Sequence, residues 1–226
     1  MSYELVTLTA GHNEKVVGAG ANGYKEHEQA RLLVAQLEKD FKAVGQKVAI
    51  CTDDKGTTKA SVWGNAVKNC NKYDKKGRLD VSLHLNAGGG TGVEVLYYSE
   101  KALSAKVSKA ISEATGYRDR GPKIAKEIGF LNSTTAPAIL VETCFIDNKD
   151  DMKVFTKGLQ GISRAIVKAI TGKSVPTVTK TETKKYDSTS KTLYKVQTGA
   201  FADKKNAVGL AKELEKKGYP VLIVKQ

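Results

Sequence analysis

The chain has 226 residues, with 37 basic and 24 acidic side chains, a net charge of +13 and 40 % hydrophobic residues. That balance excludes a disordered chain, and no apolar run approaches the ~18 residues of a membrane span. A positive excess of this size points to a polyanionic partner, which leaves nucleic acid, anionic lipid or an anionic cell-wall polymer as classes.

The first segment, "MSYELVTLTAGHNE", carries neither a basic n-region nor an apolar h-region. No secretory signal is therefore expected, and the chain should stay in the cytoplasm of the cell that makes it until something releases it. "YELVTLTA" (3–10) reads as a β-branched strand followed by the Gly-rich loop "GHNEKVVGAGANGY". Leu33, Leu37 and Phe41, four residues apart, predict an amphipathic helix from about Glu26 to Val44, with Gly45 at its C′ position. "KVAIC" follows as a strand and "TTKASVWGNAVKNCNKY" as a helix. Next come the strands "DVSLHLNA" (80–87) and "GVEVLYYS" (92–99), the helix "KALSAKVSKAISEAT", the strand "PAILVETCFI" (137–146) and a long helix through Ile170. Strands alternating with helices predict an α/β fold: a twisted, mostly parallel sheet flanked by helices.

Residues 172–192 are rich in Thr, Lys and Ser without apolar periodicity, which reads as a solvated linker between a domain of residues 1–171 and a tail of residues 193–226. The tail predicts a small βαβ unit: strand "LYKVQTGAFA", helix "KKNAVGLAKELEKKG" and strand "YPVLIVK". From Gly172 onward there are 12 basic and 5 acidic residues, so this end is the more basic part per residue. Cys51, Cys70 and Cys144 form no CxxC and cannot all pair, so free buried thiols are expected and a zinc finger is excluded by spacing.

The three histidines are His12, His27 and His84. In open α/β sheets sites collect at the carboxyl ends of strands. His12 follows the first strand, His84 lies near the end of "VSLHL", and Glu142 lies near the end of "AILVE"; Glu26 opens the first helix across the Gly-rich loop from His12. Two imidazoles and a carboxylate make a catalytic zinc set, and a further carboxylate can move the water's proton. Two imidazole nitrogens favour zinc over magnesium. Without HExxH spacing, the residues taken alone read more readily as unrelated polar positions. His27, next to Glu26 on the helix, points about 100° away from it.

"AGHN", "YKEHEQA", "DVSLHLNA", "GVEVLYYS", "RDRGPK" and "FLNSTTAPAILVETCFIDNKDD" occur in that order. Together they resemble the zinc-dependent N-acetylmuramoyl-L-alanine amidases, and most of all the catalytic domains of phage endolysins, over residues 1 to about 171. The resemblance implies a hydrolase that cuts the amide between N-acetylmuramic acid and L-alanine in bacterial peptidoglycan. It implies Zn²⁺ held by His12, Glu26 and His84, with Glu142 as general base and acid. Counting back nineteen residues from Gly45 selects Glu26 over the alternative, Glu28. Asn86, with Arg120 or Lys123, is expected to hold the peptide stem or the muramoyl group. Two departures stand out: "LTAGHNE" replaces the common "DPGHGG", and Ala30 occupies a position that is often Asn.

Tyr194, Val196, Gln197, Gly199, Phe201, Ala207, Leu214 and Gly218 give the tail a resemblance to the first half of a SPOR-type peptidoglycan-binding module. Such a half leaves a sheet edge open, so wall binding or pairing of two tails in a homodimer is expected. A non-catalytic wall-binding protein would lack one of the four site residues, and all four are present. Trp63 and the nine tyrosines show no RNP-like pattern, so the charge is read as attraction to anionic wall polymers rather than to nucleic acid. The resemblance is read as a phage endolysin, with a host autolysin of the same activity as the alternative.

Overall fold

A computed structural model describes residues 3–176, 199–216, 218, 219, 221 and 223. The chain divides into two units, Met1–Thr177 and Val178–Gln226.

The first unit runs β1 (Leu5–Ala10), β2 (Gly20–Ala21), β3 (Tyr24–Lys25), α1 (Glu26–Ala43), β4 (Lys47–Ile50), α2 (Lys59–Cys70) and β5 (Arg78–Asn86). It continues through β6 (Val93–Tyr97), α3 (Lys101–Thr115), β7 (Asp119–Ile124), α4 (Gly129–Ser133), β8 (Ala138–Phe145) and α5 (Lys149–Thr171). The main sheet has the order β4-β1-β5-β8-β6-β7. β4, β1, β5 and β8 are mutually parallel, β6 enters antiparallel to β8, and β7 runs parallel to β6. The expected α/β fold with a mostly parallel sheet is therefore present.

Alternation along the strands sorts the two faces. Val6, Leu8, Val81, Leu83, Val95, Ile139 and Val141 point to the main core, where they meet Leu33, Leu37 and Phe41 of α1, Val107 and Ile111 of α3 and Ile162 and Ile166 of α5. A smaller core on the other side gathers Cys51, Val67, Cys70, Phe130, Leu131 and Leu140. α1 ends as its sequence predicts. Gly45, at φ 74, donates from its N–H to Lys42 and the next N–H, from Gln46, reaches Phe41, a Schellman closure. α2 opens on a capping box between Thr58 and Ser61.

Four short elements, β2, β3, β7 and α4, are additional to the expected order. "DRGPKI", a segment to which the sequence pattern assigns no element, forms the edge strand β7 with Gly and Pro at its centre. Inside the presumed Gly-rich loop, β2 and β3 form a hairpin, with Asn22 and Gly23 both at positive φ as a type I′ turn requires.

In the second unit, α6 (Lys204–Lys216) fits the expected helix, and Gly218, at φ 85, follows its end. Residues 193–198 and most of 220–226 lie outside the described residues, and with them most of the two expected tail strands. The linker from residue 177 to 192, and the pairing of tails that rests on those strands, also lie outside them. Among the described residues no helix is long and apolar enough to cross a membrane.

Cys51, Cys70 and Cys144 are free and buried. The neighbouring Cys51 thiol together with burial pushes the Cys70 thiol well above its ordinary range, and burial does the same to Cys144. Because all three are buried, and although the contact with Cys70 lowers the Cys51 thiol, labelling should find almost no reaction with native protein and three thiols per chain in denaturant without reductant. A count of one would reveal an internal disulfide.

Candidate metal centre

The site is assembled at the carboxyl ends of β1 and β5, where the chain must turn tightly around two imidazoles. After β1, the Gly11 N–H donates to the Leu83 carbonyl at 2.8 Å, tying the loop to β5. A Cβ on Gly11 would stand 2.1 Å from Cε1 of His84, so only glycine lets the His84 ring lie against this backbone. Gly18, at φ 75, is equally confined. A Cβ there would be 2.5 Å from both Glu26 Oε2 and His12 Cδ2. His12 itself adopts φ 63, a region that few non-glycine residues occupy.

The β2–β3 hairpin delivers Glu26 as the first residue of α1, and the Asn22 amide donates to the Ile146 carbonyl at 3.1 Å, fixing the hairpin to the end of β8. The Glu26 carboxylate is 4 % exposed and fully engaged. Oε2 accepts from the Ala19 N–H at 2.9 Å and lies 3.3 Å from His12 Nε2. Oε1 lies 2.9 Å from His84 Nδ1 and accepts from the Leu85 N–H at 3.3 Å. Burial alone would raise the Glu26 carboxyl, but the hydrogen bonds with His12 and His84 and their charges hold it well below the ordinary carboxylate range. Burial opposes protonation of His84, yet its bond to Glu26 and the charges of Glu142 and Glu26 raise its proton affinity overall.

Ligand atoms of His12, Glu26 and His84 all lie within 4.8 Å of one another, and the two rings meet edge to face with centroids 5.3 Å apart. Ligand bonds of ~2.0–2.1 Å in tetrahedral geometry put neighbouring ligand atoms about 3.4 Å apart. The contacts of 3.3 and 2.9 Å run to the two different oxygens of Glu26, which places its carboxylate between the imidazoles, and the two-nitrogen, one-carboxylate donor set suits a metal of zinc's type. Glu28, the alternative ligand, is outside this group; it is half exposed and paired with Lys25 at 3.2 Å. His27 is buried, its Nε2 3.9 Å from Glu28, and is likewise outside the group.

Glu142 sits in β8 directly across from His84 of β5 on one side and Glu94 of β6 on the other. Its Oε2 is buried with no hydrogen-bond partner among the described residues. Burial, with the charges of Glu26 and Glu94 added and that of His84 opposing, pushes its carboxyl up to about 7. A carboxyl in that range is suited to both taking and giving a proton near neutrality.

Glu94 was not anticipated. It accepts from the Asn86 amide at 2.8 Å and from Arg120 Nε at 2.7 Å, while Arg120 also lies over the Phe145 ring, 5.0 Å from its centroid. Asn86 and Arg120 therefore converge beside Glu142, but through Glu94. The signal available was a lone glutamate between two apolar residues of a strand, in "VEV". Lys123 does not join them. It is exposed on β7 at the level of Leu96 and Leu140, two residues from the Glu94–Glu142 row and away from the site end of β8.

Residues 6–172 match the family profile described as N-acetylmuramoyl-L-alanine amidase, and residues 169–226 match that of the SPOR domain. The chain is 27 % identical to the N-acetylmuramoyl-L-alanine amidase CwlM of Bacillus licheniformis, a match covering 97 % of this chain and 84 % of the relative. It is 34 % identical to an endolysin of Bacillus phage SPP1, over 68 % of this chain and 59 % of the phage protein. Among solved structures, the catalytic domain of the CD27L endolysin, described as targeting Clostridia Difficile, matches with a TM-score of 0.66 and 30 % identity. That match covers 77 % of this chain and 100 % of the solved one.

Proposed function

The chain belongs to the N-acetylmuramoyl-L-alanine amidase family of peptidoglycan hydrolases, and on that premise we propose that it hydrolyses the muramoyl–L-alanine amide with a zinc ion held by His12, Glu26 and His84. The observation that carries this reading is the convergence of those three side chains beside a buried carboxylate, Glu142, whose Oε2 is left without a partner among the described residues. Bound zinc supplies Lewis-acid polarisation of the amide carbonyl and acidifies a water molecule. Glu142 takes a proton from the attacking water as the new C–O bond forms. It then returns that proton to the alanine nitrogen as the C–N bond breaks, so the carboxylate is regenerated. The Ala19 and Leu85 N–H groups hold the Glu26 carboxylate between the two imidazoles. Through Glu94, Asn86 and Arg120 shape the floor beside Glu142, and either is free to exchange that bond for a group on the substrate.

The SPOR domain match and the net positive charge of the C-terminal end support retention on the wall, with anionic wall polymers as additional attraction. The metal assignment is tested by the zinc content of purified full-length variants. Glu26→Ala should lose most of the bound zinc, whereas Glu28→Ala should retain close to one per chain. Zinc loss confined to the Glu28 variant would overturn the ligand set.

A further inference from the structure

We infer that Arg31 is a positioning residue that holds His12 in the backbone conformation from which its imidazole meets Glu26. His12 stands at φ 63, a conformation that few non-glycine residues adopt. The peptide that follows it is clamped from both edges. On one edge the Asn13 N–H donates to the Val16 carbonyl at 3.0 Å. On the other, Arg31 Nη1 donates to the His12 carbonyl at 3.1 Å and to the His27 carbonyl at 3.0 Å. Nη2 of the same guanidinium reaches the Asp53 carbonyl at 3.3 Å and the Asp54 carboxylate. One rigid fork therefore ties the loop after β1 to α1 and to the loop after β4.

The neighbouring residue needs no such help. Asn13 is buried, its Oδ1 accepts from the N–H groups of Lys15 and Val16, and its Nδ2 donates to the Gly56 carbonyl at 2.8 Å. Asp53, also buried, accepts from Gly56 N–H and the Asn65 amide. The loop beyond His12 is thus braced independently, and what Arg31 adds is the orientation of the His12 carbonyl. With that donor removed, only the Asn13 N–H holds this peptide, and His12 relaxes toward negative φ, which swings Nε2 away from Glu26 Oε2. A planar fork with several donors can satisfy carbonyls on separate segments at once, which a point-like ammonium cannot.

This inference rests on the zinc assignment above. Its test measures the zinc dissociation constant of full-length protein by competition with a chromophoric chelator, together with the visible spectrum of the cobalt-substituted form. Arg31→Met keeps the aliphatic stem and removes every donor; it should bind zinc about 10–100-fold more weakly, the range for groups that orient a metal ligand, and shift the cobalt bands. Arg31→Lys, which retains a donor for one carbonyl, should recover part of that loss. Asp54→Ala removes only the exposed partner of the fork and should bind zinc as the parent does. Parental zinc affinity in Arg31→Met, or an equal loss in Asp54→Ala, overturns the proposal, the latter because it would mark Arg31 as a loop tether. Should Arg31→Met fail to fold, Arg31→Gln, whose amide is too short to span the segments, decides by the same criterion. If the parent protein itself binds no zinc, the ligand assignment fails instead.

Discussion

Glu142→Gln should leave fold and zinc content unchanged while lowering the release of new alanine amino groups from peptidoglycan about 10²–10⁴-fold, the usual contribution of a general acid–base group. In barrier terms this is about 3–5 kcal/mol. The substitution preserves shape and removes only the ability to take and return a proton. It also replaces a carboxylate whose charged form burial disfavours, so the fold should tolerate it. Glu94 is not an equivalent candidate for the role. Both of its oxygens are occupied, by Asn86 and by Arg120, whereas Glu142 Oε2 has no partner among the described residues. Activity in Glu142→Gln within about twofold of the parent would remove this carboxylate from the chemistry, because no acid–base role is that small.

The contrast between these two glutamates also marks where reading the sequence stops working. His12, Glu26, His84 and Glu142 stand out as candidates because each lies at or near the end of a segment with a strong local signal, while their roles come from the family resemblance. The four-residue spacing of Leu33, Leu37 and Phe41 and the Gly45 closure fix the register of α1, and with it the position of Glu26 at the first turn. Glu94 acquires its role only through the antiparallel pairing of β6 with β8, a contact between segments almost fifty residues apart that no local pattern encodes. The same pairing reverses β6 and β7 relative to the rest of the sheet. It therefore leaves Arg120 beside the site and carries Lys123 away from it. β7 was invisible for a related reason: with Gly121 and Pro122 at its centre, it is a strand because β6 offers it an edge, not because of its own propensity. The β2–β3 hairpin did carry a local signal, Asn22-Gly23, but with only two paired residues on each side its alternation was too short to notice.

Asp80→Ala should cost about 3–5 kcal/mol of folding stability, a large part of the roughly 5–15 kcal/mol available to a domain. Arg78 and Asp80 form an ion pair in β5 with both side chains 0 % exposed, at 2.9 Å and again at 3.1 Å through the second nitrogen. Their remaining valences are filled: Thr7 of β1 donates to Asp80 at 2.6 Å, while Arg78 donates to Asn71 at 3.0 Å, Thr135 at 3.1 Å and the Tyr73 carbonyl. A pair so completely satisfied gives little net stability, since desolvation offsets most of the attraction. Its removal by halves is another matter. Asp80→Ala strands a guanidinium in a dry interior, below the very strands that end in His12 and His84. The double substitution Arg78→Met with Asp80→Leu removes both charges together and should recover most of the loss, although Asn71 and Thr135 then lose a donor. Urea unfolding of the single and double variants decides between the two accounts. A single-variant loss below about 1 kcal/mol would mean that water reaches the stranded Arg78, and that this floor of the sheet is looser than its hydrogen bonds imply. Zinc uptake should follow stability, intact in the double variant and impaired in Asp80→Ala only where that variant is partly unfolded, because neither residue touches a ligand.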